Sequence, residues 1–177
     1  KDTIEADQDY AIDTLILATG FDAMTGALTS LDIIGRNGIV LRDQWKEGAK
    51  SYLGLGVSNF PNLFTITGPG SPSVLSNMMP SIEQHVNWIA DCISWMSDND
   101  KSVIESSLAA EEEWMSLVDE IAGMTIFKST ESWYNGSNID NKAKAFLPFI
   151  GVPMYTEKLD EITENNYQGF IFDVSNK

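Results

Sequence analysis

Two turns closed by glycine, each after an apolar run, are where this sequence could handle a ligand. The first is Ala18-Thr19-Gly20-Phe21-Asp22. The second is Gly68-Pro69-Gly70-Ser71-Pro72-Ser73-Val74-Leu75-Ser76-Asn77-Met78. Glycine at a strand end lets backbone approach a ligand, because no Cβ is there to collide with it. The carboxyl ends of strands are also where open α/β sheets hold their cofactors. For the first turn, a plain tight turn and a ligand contact fit the residues equally. The second leads into a helix, whose free N–H groups would favour a group carrying partial negative charge. Both a cofactor contact and a simple strand-to-helix connection remain open there.

Other candidates carry less. Gly54-Leu55-Gly56-Val57-Ser58-Asn59 begins like a dinucleotide fingerprint, but it lacks the third glycine and no helix pattern follows. His85 stands one position off an apolar helical stripe, without the acid and hydroxyl of a triad, and reads as a structural polar residue. The run Glu111-Glu112-Glu113 reads as a solvated helix start rather than a carboxylate pair for catalysis, and Trp114 as core. Trp133 and Tyr134 precede Asn135-Gly136 in a loop, where large aromatics either cover a ligand or anchor the loop to the core.

These residues need elements to place them. Ile12-Asp13-Thr14-Leu15-Ile16-Leu17-Ala18-Thr19-Gly20 predicts a strand buried on both faces. Gly38-Ile39-Val40-Leu41 predicts a short strand, residues 43–48 a turn, and Leu63-Phe64-Thr65-Ile66-Thr67 another buried strand. Ile82, Val86, Ile89, Ile93 and Met96 recur at helical spacing, so a helix is expected over about 80–96, capped by Ser76 or Asn77. Ala110, Trp114, Leu117, Ile121 and Met124 mark a second. Residues 125–154 read as a long ordered loop, residues 157–164 as a short helix and 169–172 as a short strand.

The chain has 177 residues, 43% of them hydrophobic, enough for one core. A net charge of -15, from 26 acidic against 11 basic residues, repels polyanions and makes nucleic acid an unsuitable partner. Cys92 is the single cysteine and His85 the single histidine, so internal disulfides and zinc cages have no ligands. That suits a reducing, cytoplasmic setting. No apolar stretch nears the roughly 20 residues that span a bilayer. Lys1 in place of Met, with an apolar run so soon after it, suggests a chain cut from a longer one.

Taken together, these segments resemble type I Baeyer–Villiger monooxygenases. Residues 13–22 are similar to the family's ATGFD junction. In family order follow Asp43-Gln44-Trp45, Ser51-Tyr52-Leu53-Gly54, Phe60-Pro61-Asn62-Leu63-Phe64, the GPGSPSVLSNM run of residues 68–78, Ser81-Ile82-Glu83-Gln84-His85 and Ser132-Trp133-Tyr134. The bulge at residues 71–78 is most similar to the phenylacetone and steroid monooxygenase branch. The resemblance implies an α/β fold, the carboxy-terminal part of a flavoprotein with two dinucleotide-binding, Rossmann-like domains. Residues 1–21 would close the NADP-binding domain and 22–177 would form the second half of the FAD-binding domain. The implied reaction uses FAD, NADPH and O2 to insert oxygen beside a ketone carbonyl through a C4a-peroxyflavin. Ala18, Thr19, Gly20, Ser76, Asn77 and Met78 would contact cofactor, with the Met78 backbone at the flavin, whose pyrimidine side carries partial negative charge when reduced. Trp133 would contact NADP, and Ser73, Val74 and Leu75 would line the substrate pocket.

The departures matter as much. The family's two GxGxxG fingerprints, its FxGxxxHxxxW signature and its catalytic arginine are absent, and Arg36 and Arg42 stand in other contexts. One such charged contact is worth about 3 kcal/mol to a transition state, or roughly a hundredfold in rate. The chain is therefore expected to be inactive alone and to need an amino-terminal half as partner, in the same polypeptide or a separate one. A flavin N- or S-oxygenase and an acidic, non-catalytic domain that kept the fold are the other readings.

Overall fold

The computed structural model describes residues 11–18, 22, 25–72, 77–126, 130, 134, 136, 149 and 151–174. Among them run the short helix α1 (Gly26–Thr29), a 3-10 turn (Arg36–Gly38), the short helix α2 (Leu41–Gln44) and a second 3-10 turn (Trp45–Glu47). There follow α3 (Met78–Asp98), β1 (Lys101–Ser106), α4 (Leu108–Gly123), α5 (Val152–Glu164) and β2 (Phe170–Val174). The strands pair antiparallel, with Ile104 opposite Phe172 and Ser106 opposite Phe170, and an irregularity between Lys101 and Val103.

The hub is not an element but the segment 49–60, which is nearly all buried. A buried loop must satisfy its own polar backbone. Here Tyr52 N–H donates to Gly56 O (2.8 Å), Gly56 N–H to Tyr52 O (3.1 Å) and Thr65 N–H to Leu55 O (2.8 Å). Gly54 makes the turn possible, with φ +74 and a position where a Cβ would meet Ser71 Cβ at 2.5 Å. Around Tyr52, Leu53 and Leu55 gathers the main core, from Trp88, Cys92, Met96, Ile104, Trp114, Val118, Phe149, Tyr155, Leu159, Ile162 and Tyr167. Leu41, Trp45, Ala49, Val57 and Phe60 form a second cluster beside it.

Both long helices exist as the spacing predicts; α3 turns part of its expected stripe outward, while α4 keeps most of its stripe, Ala110, Trp114, Leu117 and Ile121, against the core. In α3 the buried residues are Ser81, His85, Trp88, Cys92 and Met96. Of the stripe expected inside, Val86 is 45% and Ile93 52% exposed. In α4 the buried set is Glu111, Trp114, Val118 and Ala122, while Met124 is exposed. Periodicity fixes that a helix forms, but α3 is apolar on two faces and the partner chooses between them. Here the aromatic Trp88 and the small Cys92 fit against the 52–55 hub.

Three strand expectations are corrected. Residues 11–18 have no sheet partner among the described residues, and Ile12, Leu15, Ile16 and Leu17 are 62–84% exposed. A strand buried on both faces needs a neighbour on each side, and the described residues supply none. Residues 38–41 give a single bridge, Ile34 with Val40, before α2 begins, and residues 63–67 a single bridge, Phe64 with Gly56. The expected turn at 43–48 is instead mostly helical. The long loop also ends earlier than expected. Gly151, in the left-handed region at φ +118, and Pro153 in the first turn begin α5 at Val152 rather than 157.

Candidate functional site

The turn between Thr67 and α3 is held at both described ends. On the entry side, Thr65 Oγ1 donates to Gly54 O (2.8 Å), Gly68 N–H also donates to Gly54 O (3.1 Å), and Ser71 Oγ donates to Gly68 O (2.8 Å). From outside the turn, Ser51 Oγ donates to Pro69 O (2.6 Å), Trp114 Nε1–H to Gly70 O (3.1 Å) and Phe149 N–H to Ser71 O (2.9 Å). Pro69 and Pro72 are fully buried. Such over-determination is how a scaffold holds a binding element in advance of its ligand. On the exit side Asn77 caps α3, its side chain accepting from Met79 N–H (3.1 Å). The Met78 N–H has no acceptor among the described residues, Pro80 has none to give, and the first turn of α3 holds no acidic residue. The start of this 21-residue helix is thus a positive pole with no acidic residue in its own first turn. That is the environment a partly anionic ring edge needs, so these residues fit a flavin.

Ser73, Val74, Leu75 and Ser76 lie outside the described residues, as do Thr19, Gly20 and Trp133. Of the site positions from the sequence, Ala18 is exposed and Asn77 and Met78 stand together at the head of α3. Beside that head, a cavity of about 330 Å³ opens between α3 and α5, lined by Asn77, Pro80, Ser81, Gln84, Val152 and Thr156.

His85 is a buried structural residue as expected, with defined partners. Its Nδ1 accepts from Thr67 N–H (3.0 Å), and its Nε2 lies 2.7 Å from the hydroxyl of Tyr155. Burial lowers its pKa from 6.5 to about 4, so it is neutral near pH 7. Glu111 corrects the expectation of a solvated helix start. It is 2% exposed, and its carboxylate accepts from Ser58 N–H (2.8 Å). Burial raises its pKa, opposed by the Ser58 N–H and by Lys50. The readable signal was its place at i−3 and i−7 from Trp114 and Val118, both buried on one face. Tyr134 is buried, in keeping with an anchor for its loop. Both arginines are engaged in ion pairs, Arg36 with Glu105 and Asp173, and Arg42 with Asp32. Among the described residues no metal-ligating cluster occurs, and no helix is long and apolar enough to cross a membrane.

No family model matches the chain. Individual proteins do. A Baeyer–Villiger monooxygenase of Pseudooceanicola batsensis is 39% identical over 171 residues, 96% of this chain and 31% of the relative. A phenazine N-monooxygenase of Lysobacter antibioticus is 39% identical over 164 residues, 92% of this chain and 30% of the relative. Among solved structures, closed cyclohexanone monooxygenase superimposes with a TM-score of 0.88 at 37% identity, over 94% of this chain and 31% of that one. OTEMO in complex with FAD and NADP superimposes at 0.85 and 34% identity, over 94% and 31%. The fold is thus a part of the α/β, FAD/NAD(P)-binding, Rossmann-like flavoprotein class. Within that class the chain is a homologue of the Baeyer–Villiger monooxygenase family, and it spans about 30% of the length of the curated relatives it matches.

Proposed function

We propose that this chain supplies one wall of the flavin site in an FAD- and NADPH-dependent monooxygenase that inserts oxygen beside a ketone carbonyl. The observation that carries this reading is the head of α3, a positive pole with no acidic residue in its first turn, set by a turn whose entry is fixed by six hydrogen bonds. Bound there, FAD reduced by NADPH would supply the oxygen-activating chemistry. The chain's own residues bind and orient. The Met78 N–H and the Asn77-capped turn meet the ring edge, with Ser76, Ala18, Thr19 and Gly20 at the cofactors, Trp133 at NADP, and Ser73, Val74 and Leu75 at the ketone. Residues 1–21 would finish the NADP-binding domain and residues 22–177 belong to the FAD-binding domain.

The phosphate-binding glycine fingerprints are not in this sequence, and both its arginines are committed to ion pairs. A partner segment must therefore bring the phosphate cradle and the catalytic cation, and this chain by itself should be inactive. Exposed apolar surface on α3 supports such a partner. The test is to combine the chain with the remaining part of the enzyme, load FAD, and follow ketone-dependent NADPH oxidation in the presence of O2. Ester or lactone should appear. A folded, FAD-loaded assembly that oxidises no ketone would refute the reading.

A second reading, oxygen transfer to an aromatic nitrogen, draws support from the similarity to a phenazine N-monooxygenase. Offering the same assembly a cyclic ketone and phenazine together separates the two by product: lactone for the first, N-oxide for the second.

A further inference from the structure

Three hydrogen bonds run in one direction through the protein interior. Thr67 N–H donates to His85 Nδ1 (3.0 Å). Because Nδ1 accepts, the ring proton of the neutral imidazole sits on Nε2, which donates to the Tyr155 oxygen (2.7 Å). The Tyr155 hydroxyl then donates to Leu53 O (2.6 Å). His85 and Tyr155 are both fully buried, and each donor and acceptor in the relay is used once. An imidazolium would set a second N–H against that of Thr67, and burial already lowers the imidazole's affinity for a proton.

What the relay joins gives it a purpose. Thr67 is the last residue before the 68–77 turn and takes φ +52, a left-handed conformation unfavourable for a β-branched side chain. His85 lies two turns into α3, the helix to which that same turn leads. The Thr67–His85 bond therefore ties the two stems of the turn together. Tyr155 extends the tie to α5, the helix opposite α3 across the cavity beside Asn77.

We infer that His85 is a positioning residue. It acts through Thr67 to hold the described entry of the turn, residues 68–72, and the head of α3 in the arrangement that meets the cofactor, and it links that arrangement to α5 through Tyr155. The part of the inference that concerns the cofactor rests on the flavin reading above; the tie itself does not.

Two substitutions cut the relay at different links. His85→Asn keeps an acceptor at the place of Nδ1 and loses the Tyr155 link. His85→Gln keeps a donor at the place of Nε2 and loses the Thr67 link. The measurements, on the FAD-loaded assembly of this chain with the rest of its enzyme, are amide hydrogen exchange over residues 67–71 and the visible circular dichroism of the flavin. Exchange is expected to rise at least tenfold in His85→Gln and stay within threefold of the parent in His85→Asn, with the flavin spectrum altered only in the former. Equal exchange in the two variants would reduce His85 to a general contributor to stability and overturn the inference. An exchange difference with an unaltered flavin spectrum would uphold the tie and overturn the flavin reading instead. If His85→Gln does not fold, Tyr155→Phe keeps the ring and opens the relay one link further on. A rise of threefold or more in exchange at Thr67 supports the relay, and no rise refutes it.

Discussion

At His85 burial sets the charge state, and that charge state makes stability depend on pH. The folded imidazole titrates near 4 against 6.5 when unfolded, because burial disfavours its charged form. Above pH 6.5 both states hold it neutral and nothing is lost. As pH falls from 6.5 toward 4 the unfolded chain takes up a proton that the native one refuses, and roughly 3 kcal/mol of stability should go. Glu111 acts with the opposite sign. Its folded pKa is raised, so the native state gains the proton first, and this offsets part of the loss above its ordinary 4.5. Denaturant midpoints between pH 7 and 4 should therefore fall more steeply in Glu111→Gln than in the parent. A parallel pair of curves would show that Glu111 is not held as its burial suggests. Cys92 supplies a test free of pH. Burial pushes its thiol up to about 12, so at pH 7.5 it should react with a maleimide only as fast as the protein opens, and fully in denaturant.

The elements are held together at points of close approach. Gly169, just before β2, has φ +90, and a Cβ there would lie 2.6 Å from the ring of Tyr52 in the core. Gly169→Ala should cost about 2–4 kcal/mol in thermal or denaturant unfolding, from backbone strain and displacement of that ring. Gly123, the last residue of α4, meets nothing within 4 Å, so Gly123→Ala should leave stability unchanged or raise it by about 0.5 kcal/mol. The two long helices were legible because their apolar residues repeat at helical spacing. The stripe of α4 packs largely as its spacing suggests, but the face that α3 buries was not legible, because Val86 and Ile93 are as apolar as Trp88 and Cys92, and only the hub at 52–55 decides between them. β1 gave no usable signal: it is six residues long, and its partner lies more than sixty residues further along the chain. Glu111 was misread because a run of three acids suggests water more strongly than one helical position suggests the core. At the candidate site the turn itself was legible from its glycines and prolines. The tie through His85 and Tyr155 was not, since the two stand 70 residues apart.

For the whole molecule, the deciding feature is apolar surface that nothing described covers. Along the outer face of α3 run Met79, Ile82, Val86 and Ile93, which make one seam, while Ile89 at its edge is partly buried against the core. Met79, Val86 and Ile93 are 64%, 45% and 52% exposed. A helix apolar on two faces is built to be buried on both, and a seam of this kind marks an interaction surface. The inner face is satisfied by this chain's own core. On the proposed function the outer one would meet the remainder of the enzyme, since the chain spans about 30% of the length of its curated relatives. Two forces then compete in the isolated chain: the seam favours self-association, while a net charge of -15 opposes it. Salt screens the second and not the first. In sedimentation velocity, raising ionic strength from about 0.05 to 0.5 M should shift the isolated chain toward larger species, and a dye sensitive to apolar surface should brighten on binding it. Adding the complementary part should abolish both effects. Replacing Val86 and Ile93 by serine should leave the fold intact, since neither side chain faces the core, and remove the salt-driven association. Each truncation gives up about 1–2 kcal/mol of apolar burial, so affinity for the complement should fall on the order of a hundredfold. Unchanged affinity in the double variant would place the docking surface elsewhere and leave the seam of α3 without a role.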